Sequence, residues 1–210
     1  MKYIKLLAVL STLCVASFSH AKGVQGFYIG AGVGSTSLDD KDDFFEDSYQ
    51  VEESGNTYKL IAGYQLNRTL ALEAQYTNYG DANIQGTSVL NHQKITVHSW
   101  TPEALSFAAN AGYTFNNGLR PFGVLGLSMI DLNESKKVMS EDKYLGLRYG
   151  FGLEYMPPAL NALSVRLAYE ADFFFAEEKE IRPGFYSDYM VTELYDFTLD
   201  SVYLSVSYRF

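Results

Sequence analysis

Eight stretches of this chain alternate large apolar residues with small or polar ones at a period of two, and that rhythm restricts the fold more than any other feature. A period of two belongs to a β-strand, whose successive side chains point to opposite faces. The clearest stretch is Tyr144–Met156. There Leu145, Leu147, Tyr149, Phe151, Leu153 and Tyr155 stand against Gly146, Arg148, Gly150, Gly152 and Glu154. The others are Gly26–Leu38, Thr57–Leu66, Leu70–Tyr79, Ala104–Phe115, Arg120–Ile130, Ala162–Phe174 and Leu199–Phe210. Facing is least regular in Arg120–Ile130, where Leu125, Leu127 and Met129 read as outward. Connections after the first, third, fifth and seventh stretches are long, and those after the second, fourth and sixth are short. Asn67-Arg68-Thr69 and Asn116-Asn117-Gly118 are turn signals, and Pro157-Pro158 stops a strand. An up-and-down sheet puts alternate connections at the same end, so all the long loops share one end.

The charges inside these stretches decide what the two faces meet. Lys59, Glu73, Arg148, Glu154, Arg166, Glu170, Asp172 and Arg209 all fall on the face opposite the large apolar side chains. A charge on a lipid-facing wall costs about 2–4 kcal/mol at the bilayer midplane, whereas inside a narrow barrel opposite charges can pair. The expected fold is therefore all-β: an eight-stranded antiparallel up-and-down transmembrane β-barrel, with an interior network of four cations and four carboxylates. The inward glycines of Gly26–Leu38 suit the crowded bore of eight strands. A soluble β-sandwich is the alternative, but it gives no reason for loop lengths to segregate by end.

Composition agrees. The chain is 47% hydrophobic with 17 Tyr and 14 Phe, yet its mean hydropathy is only -0.09. Alternating lipid-facing and lumen-facing residues cancel in this way. Past the first twenty residues no run of eighteen apolar positions occurs, so no transmembrane helix is expected. The first residues read as an export signal: Lys2 and Lys5, then apolar Leu6–Phe18, then Ser19-His20-Ala21 before a cut at Lys22. The expected domains are a signal peptide over 1–21 and a barrel over 22–210. Cys14 lies within the signal, so the mature barrel holds no cysteine and needs no disulfide. The formal charge of -9, more negative once both lysines leave, argues against a nucleic-acid partner.

The segments Gly26–Gly34, Tyr58–Leu66 with Leu70–Asp81, and Ser201–Phe210 resemble the outer-membrane β-barrel superfamily, including the small OmpX-like and Ail-like barrels and the membrane domain of OmpA. The resemblance spans nearly all of Gly26–Phe210. It implies residence in the cell outer membrane after passage through the periplasm. It also implies that Tyr208 and Phe210 form a signal for the barrel-assembly machinery. Unlike OmpA, the chain stops at Phe210, so no peptidoglycan-binding domain is expected.

Other candidates are weak. The acidic segment Asp39-Asp40-Lys41-Asp42-Asp43, with Glu46, Asp47, Glu52 and Glu53, reads as a solvated loop, because it lacks the ligand spacing and Gly of a calcium loop. His98 and Ser99 are adjacent and would face opposite sides of a strand, and no nucleophile elbow is present. No catalytic residue, metal site or cofactor is expected. Trp100, the only tryptophan, reads as a membrane-interface marker. The function expected is structural or surface-interacting. Its partners would be outer-membrane lipid and lipopolysaccharide, the assembly machinery during biogenesis, and a host or surface partner at the loops. A small-solute pore and a membrane-embedded lipid-modifying enzyme are the alternatives.

Overall fold

Every regular element among the described residues is a β-strand. The computed structural model describes residues 25–40, 49–53, 55–87, 94–133, 143–160, 162–182 and 189–210, with side chains described outside 38–40, 49–53, 82–98, 177–182 and 189–194. The strands are β1 (Gly26–Asp40), β2 (Tyr49–Glu53), β3 (Asn56–Gln65), β4 (Leu70–Asn78), β5 (Ala82–Thr87), β6 (Lys94–Trp100), β7 (Glu103–Gly112), β8 (Leu119–Asp131), β9 (Lys143–Tyr155), β10 (Leu163–Arg182) and β11 (Tyr189–Arg209).

Eight of them close an antiparallel barrel in the order β1-β11-β10-β9-β8-β7-β4-β3, and β3 returns to β1. The seam pairs Tyr28 with Arg209 and Val33 with Leu204, so the first and last strands leave no open edge in the wall. Each barrel strand sends one set of side chains outward. Leu125, Leu127 and Met129 are 60, 58 and 54% exposed, as their alternation requires, and the inward partners Arg120, Val124 and Ser128 are buried. Tyr113, Phe115, Tyr155, Tyr208 and Phe210 ring the short-turn end on the outside, where outer-membrane barrels carry an aromatic girdle.

The short turns are built by the residues the sequence puts there. Asn67 Oδ1 accepts hydrogen bonds from the backbone N–H of Thr69 at 2.8 Å and of Leu70 at 2.9 Å, which folds β3 back into β4. Gly118 has a φ of 86°, a left-handed conformation that suits Gly at the β7–β8 turn. Pro157 O accepts from the N–H of Leu160 at 2.9 Å and starts the turn into β10.

Two features at the long-loop end depart from the sequence reading. β2, β5 and β6 form a separate three-stranded sheet in segments read as loop. β10 and β11 continue beyond the barrel: Arg182 pairs with Tyr189, whereas the pairing of β10 with β9 reaches only Phe174. Outside the apolar band a strand need not present a lipid-facing side, so the large alternation that marks the wall is lost there.

Candidate functional site: the filled lumen

The inward faces of all eight barrel strands converge on one stack of charges. In its short-turn half, Arg166 forks onto Glu73: Nη2 donates to Oε1 at 2.7 Å and Nη1 to Oε2 at 3.2 Å. Three further donors hold that carboxylate, namely the Tyr28 hydroxyl at 2.5 Å, Asn110 Nδ2 at 2.9 Å and Gln75 Nε2 at 2.8 Å. Tyr28 can reach Glu73 because Gly63 lies opposite it on β3; a Cβ at Gly63 would run into the Tyr28 ring. Arg120 pairs with Glu154 at 3.2 Å, and Arg166 lies 3.8 Å from the same carboxylate. The Phe122 ring packs under the Arg166 guanidinium, 4.7 Å from its centroid.

The long-loop half repeats the arrangement. Lys59 Nζ is 2.7 Å from Glu170 and 4.4 Å from the Tyr203 ring centroid. Tyr203 donates its hydroxyl to the other oxygen of Glu170 at 2.5 Å. Arg148 binds Asp172 through Nε at 2.8 Å and again through Nη2. It also donates to Gln75 Oε1 at 2.8 Å and Thr77 Oγ1 at 3.2 Å, while the Tyr79 hydroxyl donates to Asp172 at 2.6 Å. Gln75 thus joins the halves: its carbonyl accepts from Arg148 while its amide donates to Glu73. Four cations and four carboxylates lie buried side by side, so the stack carries no net charge, as a medium of low dielectric requires.

Above the charges sits an apolar plug. Tyr79, Trp100, Ile130, Leu132, Tyr144, Phe174, Phe197 and Leu199 form one buried cluster at the long-loop end of the bore. Phe174 stacks on Phe197 at 5.8 Å, and Trp100 meets Phe197 edge-on at 5.8 Å. Trp100 is 0% exposed, which corrects its reading as an interface marker. Trp100 ends β6, and its ring packs into this buried cluster against Phe197 instead of against lipid.

Of the eight charges picked out by alternation, seven meet in this stack: Lys59, Glu73, Arg148, Glu154, Arg166, Glu170 and Asp172. Arg209 does not. It is only partly buried, at the short-turn mouth beside Tyr28 and Ser164, because it ends its strand. Arg120 fills the fourth cationic place. Its signal was present, since outward Leu125, Leu127 and Met129 put even-numbered β8 residues inside, but Pro121 breaks the pattern beside it. Tyr208 and Phe210 face outward, 48 and 61% exposed, with ring centroids 5.2 Å apart. His98 lies opposite Ile84 in the β5–β6 pairing, and Ser99 opposite Asn83. His92, Lys41–Asp47 and the expected signal peptide lie outside the described residues.

A closed eight-stranded barrel with an apolar outer wall and a charge-paired bore defines the class of small outer-membrane barrels. Residues 6–210 match the family described as "Outer membrane protein beta-barrel domain", and the chain belongs to that family and to the outer membrane. Similar solved structures include Neisserial surface protein A, at 15% identity and a TM-score of 0.54, covering 88% of this chain and 97% of that one. OprG of Pseudomonas aeruginosa is 13% identical with a TM-score of 0.55, covering 90% of this chain and 98% of that one. Ail, the attachment invasion locus protein of Yersinia pestis, is 16% identical with a TM-score of 0.50, covering 89% of this chain and 99% of that one. These likenesses are of fold. No curated protein matches the chain.

Proposed function

We propose that the protein is a plugged, non-catalytic barrel of the outer membrane that presents its long-loop end outward to lipopolysaccharide and external partners. One observation carries this reading: the bore is filled along its length, first by Arg166–Glu73 and Arg120–Glu154, then by Lys59–Glu170 and Arg148–Asp172, then by the aromatic plug. Eight strands leave an interior only wide enough for side chains, and here long paired side chains occupy it. What remains for interaction is the outside of the wall and the strands beyond it. Outer-membrane barrels put short turns in the periplasm and long loops outside, so β2, β5, β6 and the β10–β11 ribbon stand on the cell surface. Cleavage before Lys22 and passage through the periplasm precede insertion, which the assembly machinery guides through outward-facing Tyr208 and Phe210.

The test is conductance of the purified, refolded barrel in a planar bilayer. The expected outcome is rare or no openings. Steady, large single-channel currents from the unaltered protein would replace this reading with that of a small-solute pore.

A further inference from the structure

The outer wall breaks its own apolar rule at Asp200. Leu199 and Ser201 turn into the bore, 1 and 0% exposed, so Asp200 between them turns toward the membrane. Tyr169, also on the outer face, hydrogen-bonds both Asp200 and Tyr149, and its ring packs on Phe151 at 5.6 Å. Across the seam Asp200 stands opposite Ser37, and the neighbouring outward pair is Ser35 with Val202. The strand ends at Arg209, nine positions away, and about 9–11 residues span the membrane. The carboxylate therefore lies at the outer edge of the apolar band, where lipid headgroups begin. At that level a carboxylate costs little and is within reach of a lipid headgroup.

Below it, toward the membrane centre, the same two strands carry a groove of about 530 Å³. Ala31, Gly32 and Val33 of β1 form its floor. Tyr58, Leu60 and Tyr76 form one side, and Leu204 and Val206 the other. The Val33–Leu204 pair lies four residues below the Ser37–Asp200 pair, about 13 Å along the strand. An apolar slot thus lies below a carboxylate flanked by serine and phenol hydroxyls and aromatic rings, with the Ser35–Val202 pair between them.

These two features fit the two ends of one amphiphile. The slot fits an acyl chain. A carboxylate repels a bare phosphate but accepts hydroxyl and amide N–H donors, and the rings of Tyr149, Phe151 and Tyr169 offer flat faces for the C–H surface of a sugar. We propose that this face of the wall binds one glycolipid of the outer leaflet, with an acyl chain between β3 and β11 and sugar hydroxyls on Asp200. The proposal rests on the surface-interacting reading above and places the contact on the wall instead of the loops.

The test loads the purified full-length barrel with rough lipopolysaccharide micelles, or with phosphatidylglycerol vesicles, and counts lipid retained after gel filtration in detergent. Unaltered protein is expected to retain the glycolipid in preference to phosphatidylglycerol. Asp200→Asn, and Ala31→Phe which fills the floor of the slot, should each lower glycolipid retention by roughly tenfold or more. If Ala31→Phe fails to insert, Asp200→Asn decides, since it preserves shape. Equal glycolipid retention by wild type and Asp200→Asn overturns the wall site and leaves the loops as the contact. Equal retention of phosphatidylglycerol overturns the sugar specificity. No retention of glycolipid by the wild type overturns both the site and the lipopolysaccharide contact it deepens.

Discussion

At the scale of single residues, partners matter more than charge. Glu73 serves four donors and Arg148 reaches Asp172, Gln75 and Thr77, so each buried ion also satisfies neutral groups around it. Removing one member of such a pair leaves its partner buried and uncompensated. Arg120 and Arg209 offer a direct comparison, because both are inward arginines near the short-turn end and, among the described residues, only Arg120 pairs with a carboxylate, 3.2 Å away. Arg120→Met should destabilise by up to about 3–5 kcal/mol, because it leaves the buried Glu154 carboxylate to the more distant Arg166, 3.8 Å away. Arg209→Met, at a partly open mouth, should stay within about 0.5 kcal/mol. Urea unfolding of the refolded barrels in lipid vesicles checks both, and equal losses would show that the stack does not depend on Arg120.

At the scale of elements, the strands divide into those that close the wall and those that stand above it. β11 does both. Its second half seals the barrel against β1, ending with the Phe210 N–H donated to Phe27 O at 2.9 Å. Its first half pairs only with β10, since the β9 pairing stops at Phe174 and the β1 pairing at Phe197. Shortening the ribbon by deleting residues 178–193 should leave insertion and the heat-dependent gel shift of a closed barrel unchanged. Phe210→Asp should instead cut the outer-membrane yield sharply, because it puts a charge at the end of the closing strand. Outer-membrane fractions from the two strains, compared by immunoblot, give the answer; equal yields would remove any special role for Phe210.

At the scale of the whole molecule, the fold inverts a soluble protein: its apolar residues face out and its charges face in. Lipid replaces the apolar core, and a neutral stack of ion pairs fills the bore. Leu125 lies near the middle of β8 and is 60% exposed on the outer wall. Leu125→Arg should therefore cost about 2–4 kcal/mol, as a cation at the midplane does. Its unfolding midpoint in vesicles should fall below that of Leu125→Ala by most of that amount; matching midpoints would mean that this face does not meet lipid.

The period of two, the segregation of long and short connections, and the charges of Arg148, Glu154, Arg166 and Glu170 on one face were enough to specify a closed eight-stranded barrel and most of its interior. They are local signals, because a strand's facing is set residue by residue and lipid enforces it on every strand. Tertiary structure decided what alternation cannot encode. It chose which carboxylate each cation meets, since Arg166 reaches across the bore to Glu73 from a distant strand. It put Arg120 in the stack and left Arg209 at the rim, because the depth of a residue depends on how strands are staggered around the closed wall. It also drew Trp100 into the bore and paired β2, β5 and β6 above it, where water accepts either face of a strand and the sequence carries no wall pattern to read.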